Sequence, residues 1–159
     1  MIAVVQRVSS ARVLVEEQEI STIGPGYLAF VGAVNGDGAQ DAEYVERRLA
    51  TLRLFPDTEG RMNLSLADVG GAILLVSQFT LAADTRRGRR PSFGKAMAAP
   101  DAEGLLDTMV GQLRKRGLRV ETGRFGANMQ VELVNDGPVT IVIDSRERTE
   151  RSAASGERS

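Results

Sequence analysis

The sequence predicts a single α+β domain: one β-rich, mostly antiparallel sheet or partly closed barrel with two main helices. Three observations carry this. Apolar, β-branched runs dominate both ends of residues 1–145, the mark of strands. Two stretches between them switch to a helical period. The order is strands, helix, strand, helix, strands, which is not a regular βαβ alternation and favours an antiparallel sheet.

Ile2–Val8 is apolar and β-branched, and Arg12–Glu16 alternates as a second strand. Glu19–Ile23 makes a third, ending at the plain turn Gly24-Pro25-Gly26. Tyr27–Val34 is a continuous apolar run consistent with a buried strand, and Asn35-Gly36-Asp37-Gly38 turns the chain again. From Asp41 to Leu54 the period becomes helical, with Ala42, Val45, Leu49 and Leu52 on one stripe. Asp37 or Asp41 suits its cap, and Pro56 lies just beyond its end. Ala72–Phe79 (AILLVSQF) is the most apolar segment and predicts a central strand. The second helix spans about Asp101–Arg116, with Leu105, Leu106, Met109, Val110 and Leu113 on one face and Gly117 at its stop. Leu118–Thr122, Met129–Asn135 and Val139–Asp144 complete the strands. After Ser145 the composition loses its apolar anchors (RERTERSAASGERS), which predicts a disordered tail over 146–159.

Composition narrows the chemistry. The 159 residues hold no cysteine and no histidine. Disulfides, thiol nucleophiles, thiolate metal sites and a Ser-His-Asp triad are therefore excluded. The remaining carboxylates are scattered, so neither a metal nor another cofactor is expected. Met1–Arg7 (MIAVVQR) does not read as a signal peptide. No apolar run has the length of a membrane span, so no membrane partner and a cytoplasmic location are expected. With a formal net charge of −1, any nucleic-acid site must be a local patch.

Three segments place polar or special residues where the pattern does not ask for them. Ser77-Gln78-Phe79-Thr80 leaves the buried strand with hydroxyls and an amide, fit for a pocket edge. A strand end whose hydroxyls bond to nearby backbone reads the same way. Thr85–Phe93 (TRRGRRPSF) holds four arginines within five residues, with Lys95 following. Arginine forks suit phosphates, and a solvated loop is the plain alternative. Asn135-Asp136-Gly137-Pro138-Val139-Thr140 reads first as a tight hairpin around Asp-Gly. On base rates alone its X-Pro bond would be trans.

Together and in this order, these segments resemble the D-aminoacyl-tRNA deacylase family of the D-Tyr-tRNA deacylase type. The resemblance covers Met1 to about Ser145, through VVQRV, MNLSLADVGG, VSQFTLAADTRRGRRPSF and VETGRFGANMQVELVNDGPVT. It implies a homodimeric hydrolase with active sites at the subunit interface, acting on aminoacylated tRNA. By that resemblance Ser77, Gln78 and Thr80, with Phe79, line the pocket for the 3′-terminal adenosine, where they carry the catalysis. Gly137-Pro138 is implied to be a cis pair entering the opposite subunit's site and rejecting L-amino acids, with Arg7 fixing its orientation. Phe125, Gly126 and Met129 are implied in the pocket wall.

Backbone-only selection at a Gly-Pro pair fits a steric refusal of the L-isomer, and it leaves glycyl-tRNA hard to exclude. With no histidine base, hydrolysis assisted by the tRNA 2′-hydroxyl ranks before a Thr80 nucleophile. Arg86, Arg87, Arg89 and Arg90 are candidate contacts to tRNA phosphates. The competing readings are a non-catalytic nucleic-acid-binding module of the same fold, and a relative acting on L-alanyl-tRNA with a trans Gly-Pro bond.

Overall fold

Strand β1 (Ile2–Val15) is the spine of the computed structural model, which describes residues 1–148. It runs unbroken where the sequence predicts two strands. Ser9 and Ser10 only mark where its partner on one side changes. Ile2–Val8 pair antiparallel with β3 (Gly26–Gly32), and Ala11–Val15 with β2 (Gln18–Ile23). Along its other side, Ile2–Leu14 pair antiparallel with β8 (Gln130–Asp144).

The remaining pairings of this sheet are parallel. β6 (Ala72–Ser77) lies beside β3, and β7 (Arg119–Thr122) beside β6. Parallel neighbours need long crossovers, and the two helices supply them. α1 (Ala39–Thr51) lies between β3 and β6 in the chain, and α2 (Ala99–Lys115) between β6 and β7. The sheet is therefore mixed and nearly closed into a barrel, with antiparallel pairing along all of β1.

Side-chain alternation along β3 and β6 divides the interior in two. Tyr27, Ala29, Val31, Ile73 and Leu75 pack with Val45, Leu49, Met109 and Leu113 of the helices. Leu28, Leu74 and Val76 point the other way, onto Val8, Val13 and Ile23. Both strands are buried on both faces, which explains their continuous apolar runs.

Three expectations need correction. The first helix ends at Thr51 rather than Leu54. Thr51 Oγ1 donates back to the Arg47 carbonyl (2.7 Å), and the chain turns extended at Leu52 (ψ 137°). Arg53–Pro56 then forms β4, paired with β5 (Met62–Ser65), a hairpin that the sequence reading did not assign. Leu54 and Phe55 continue the apolar stripe in sequence but bury themselves through this hairpin, with Phe55 stacked on Tyr27 (5.2 Å). The Tyr27 hydroxyl donates to the Leu52 carbonyl (3.2 Å). Burial pushes that phenol up to about 12.

The second correction concerns Asp136-Gly137-Pro138, which does not reverse the chain. β8 passes through it, and both halves pair with β1 in the same sense. Third, the strand predicted over Ala72–Phe79 stops at Ser77, and Phe79–Ala82 forms a 3₁₀ turn. Of the tail expected from 146, Arg148 Nη1 donates to Gln40 Oε1 (2.8 Å) and so touches α1. The rest of that expectation, 149–159, lies outside the described residues.

Candidate active site

The end of β6 opens onto a cleft of about 530 Å³. Ser77, Gln78 and Phe79 form one part of its wall, and Phe125, Gly126 and Met129 another. Two segments distant in sequence thus meet at one cavity. Ser77 ends a strand whose preceding five residues are buried, so its position is fixed by the core. Gln78 continues the anchoring, its N–H donating to the Val31 carbonyl (2.9 Å). The far wall is held by sulfur. Arg124 N–H donates to Met129 Sδ (3.4 Å), and a Cβ on Gly123 would stand 2.7 Å from that sulfur. Only glycine leaves room for this approach.

Thr80 does not line the cleft. Its hydroxyl accepts from Gln78 Nε2 at 2.6 Å, and among the described residues no carboxylate is bonded to it. Among the described residues no base is hydrogen-bonded to it to take its proton, which weakens its case as a nucleophile. Phe79 is 55% exposed and meets Phe93 edge to face (5.2 Å between centroids, 69°).

Arg7, Gly137 and Pro138 form a second cluster, outside this cleft. On β1, Gln6 faces Thr140 and Val8 faces Asn135. Arg7 alone therefore stands opposite Asp136, Gly137, Pro138 and Val139, which bulge out of β8. The Gly137–Pro138 peptide is cis, and both residues are exposed. Gly137 has φ +133°, and an added Cβ would meet Val139 Cγ2 at 2.8 Å and Arg7 Nη2 at 3.1 Å. No other residue fits that conformation without strain.

The bulge is braced from behind. Arg7 Nε donates to the Asp136 carbonyl (3.1 Å) and Nη1 to the Leu54 carbonyl (2.5 Å). The guanidinium also lies 3.4 Å from the Asp136 carboxylate. Asn135, to which the sequence reading gave no role of its own, closes the loop. Its Oδ1 accepts from Val139 N–H (3.1 Å), and its Nδ2 donates to the Val139 carbonyl (3.3 Å) and Thr140 Oγ1 (3.2 Å). Gln6 Nε2 donates to the same hydroxyl (3.2 Å). The available signal was an Asn beside a predicted turn, a residue type that bonds its own backbone neighbourhood. Leu54 carried no signal, because its contribution is a carbonyl.

The arginine segment is an arm with a fixed root. Asp84 and Ser92 exchange backbone hydrogen bonds (2.8 and 2.9 Å), and Gly88 takes φ +69° between the arginine pairs. Arg86 forks onto the Asp84 carboxylate (Nε–Oδ1 2.9 Å, Nη2–Oδ2 2.5 Å) and holds it well below the usual carboxylate range. Arg86 is therefore part of the arm's own structure. Arg87, Arg89 and Arg90 are exposed, with no hydrogen bond or ion pair among the described residues. Nor do three carboxylates converge there as a metal site.

Residues 4–144 match the family described as D-Tyr-tRNA(Tyr) deacylase. A D-aminoacyl-tRNA deacylase of Syntrophotalea carbinolica is 55% identical over 145 residues, 91% of this chain and 97% of the relative. The corresponding protein of Heliobacterium modesticaldum is 52% identical over 146 residues, 92% and 97% of the two chains. Among solved structures, one described as "c-Myc DNA Unwinding Element Binding Protein" has a TM-score of 0.85 at 41% identity, covering 91% of this chain and 98% of that one. Another, "Structural Analysis of a probable eukaryotic D-amino acid tRNA deacylase", has a TM-score of 0.76 at 18% identity and shares the fold.

Proposed function

The chain belongs to the D-Tyr-tRNA(Tyr) deacylase family, and we propose that it hydrolyses D-aminoacyl-tRNA to free tRNA and D-amino acid. The observation that carries this reading is the meeting of Ser77, Gln78 and Phe79 with Phe125, Gly126 and Met129 around one cleft. The terminal adenosine and its ester enter there. Water adds to the ester carbonyl, and the ribose oxygen leaves with a proton. The neighbouring 2′-hydroxyl of the substrate assists that transfer, and backbone N–H groups beyond Gln78, at the start of the 3₁₀ turn, steady the oxyanion. A site without histidine asks little else of its side chains, and Thr80, already engaged with Gln78, serves to order the turn.

Chiral selection falls to Gly137–Pro138. Neither lines the cleft of its own protomer, so the pair works in the site of a second copy of the chain. The edge of β8 away from β1, unpaired among the described residues, supports such a homodimer, since Val134 and Val142 on this strand are 57% and 63% exposed. A rigid backbone facing the α-carbon admits hydrogen and refuses a side chain, which excludes L-esters. Glycyl-tRNA, with no side chain to refuse, is cleaved as well. The exposed arginines 87, 89 and 90 contact tRNA phosphates, and the cytoplasm, where charged tRNA is used, is the place of action. No described helix is long and apolar enough to cross a membrane.

Hydrolysis of matched D-tyrosyl- and L-tyrosyl-tRNA by the purified protein tests this. Release of the D-amino acid with the L-ester spared is the expected result. Equal cleavage would remove the chiral role of Gly137–Pro138. Binding without cleavage would favour a nucleic-acid-binding module instead, a reading supported by the name of the 41% identical structural relative.

A further inference from the structure

We infer that Phe79 and Phe93, with the arginine arm beside them, form a stacking surface for the unpaired 3′ nucleotides preceding the terminal adenosine. This rests on the deacylase reading and assigns a role to Phe93, which that reading leaves unused. Both rings are open to solvent, 55% and 37% exposed. An edge-to-face pair engages only one ring face, so at least three of the four faces remain free of that contact. Phe79 lines the cleft, whereas Phe93 touches Phe79 without lining it. A strand whose last nucleoside occupies the cleft therefore leaves it past Phe79 and then Phe93.

Charge lies on the same path. Phe93 directly follows the arm whose arginines 87, 89 and 90 have no partner among the described residues. Cationic side chains for phosphates beside aromatic rings for bases make a single-strand binding surface, tolerant of base identity. The surface is also held in advance. Asn35 Nδ2 donates to the Gly94 carbonyl (3.0 Å), Asn35 N–H to that of Lys95 (2.8 Å), and Ala96 N–H to that of Phe93 (3.0 Å). The arm root thus needs little ordering on binding.

The test pairs Phe93→Ala and Phe93→Tyr with two substrates, D-tyrosyl-tRNA and the D-tyrosyl ester of adenosine alone. Phe93→Ala is expected to raise KM for the tRNA about tenfold, with kcat unchanged, while kinetics on the adenosine ester stay as in the parent. Phe93→Tyr, which keeps a stacking ring, restores the tRNA KM. An unchanged tRNA KM in Phe93→Ala overturns the inference, as does an equal loss on both substrates, which would make Phe93 a prop for the cleft. Equilibrium binding of a short unpaired RNA ending in adenosine separates the two readings. If the parent protein cleaves neither ester but binds this RNA more tightly than Phe93→Ala does, the stacking surface stands and the deacylase reading falls. Equal binding by both proteins overturns the stacking surface whether or not hydrolysis occurs.

Discussion

The strand end at Ser77 and the bulge at Gly137 place working surface by opposite means. At Ser77 side chains face a cleft, and their position comes from a strand with core on both faces. At Gly137 the backbone itself is presented, and the side chains of Arg7, Asn135 and Gln6 stand behind it. Under the proposed function the difference follows from two tasks. Fastening a nucleoside needs hydrogen-bonding groups and apolar wall, which tolerate small adjustments. Refusing a side chain needs a surface that does not yield, and braced backbone yields less than any side chain.

Gly137→Ala is the harshest way to break this comparison. The new Cβ has no room beside Val139 and Arg7, and φ +133° opposes any L-residue. kcat/KM for D-tyrosyl-tRNA is expected to fall about 100-fold, with the cleft residues unchanged. A Gly137→Ala enzyme with full rate and full D-over-L preference would place selection in the cleft instead.

Arg7→Lys probes the brace. One ammonium cannot reproduce a fork that reaches both the Asp136 and Leu54 carbonyls. The D-over-L ratio of kcat/KM should drop about tenfold, with far less change in the D-rate alone. Asn135→Ala removes three weaker bonds around Val139 and Thr140, and about a fivefold drop in the same ratio is expected. A loss of melting temperature with the ratio intact would make Asn135 purely structural. Thr80→Ala sharpens the other side. Turnover should stay within about threefold of the parent, and a loss of several orders of magnitude would restore Thr80 as nucleophile.

The smallest effect concerns pH. The Asp84 and Asp144 carboxyls are lowered in the folded chain, first of all by hydrogen bonds from Arg86 and Arg146. Such groups stabilise above the ordinary carboxylate range and lose that contribution as acid protonates them. The melting temperature should therefore hold from neutral pH down to about 5 and decline below about 4, modestly because both ion pairs are exposed. Tyr27 acts at the other end. Its phenol is raised to about 12, so its contribution is present below about pH 10 and fades as pH climbs from there towards 12. Loss of the phenol proton removes its bond to the Leu52 carbonyl and so loosens the entry to β4, on which Arg7 leans.

Much of this was legible in the residues. The apolar runs of β3 and β6 and the stripes of α1 and α2 are local patterns, and all four elements formed, with α1 and β6 stopping short of their expected ends. The segment around Ser77 also stood out, whereas the one around Phe125 entered only through the family resemblance, and nothing in their spacing said that they share a cleft. What misled was turn chemistry read in isolation. Asp136-Gly137 carries a hairpin signal, yet β1 pairs on both sides of it, and the ladder prevailed over the local preference. Likewise Leu52 and Leu54 extend a helical stripe, but Phe55 found a better surface on Tyr27.

The sequence by itself determined the α+β class, the helices, the buried strands and the family, because these depend on local periodicity and on collinear motifs. Tertiary structure alone decided that two pairs of sheet neighbours are parallel, that β8 bulges rather than turns, and that Arg86 is engaged by Asp84 while Arg87, Arg89 and Arg90 have no partner among the described residues. Each of those outcomes depends on which distant backbone or carboxylate lies within hydrogen-bond reach. Chain order does not encode that distance.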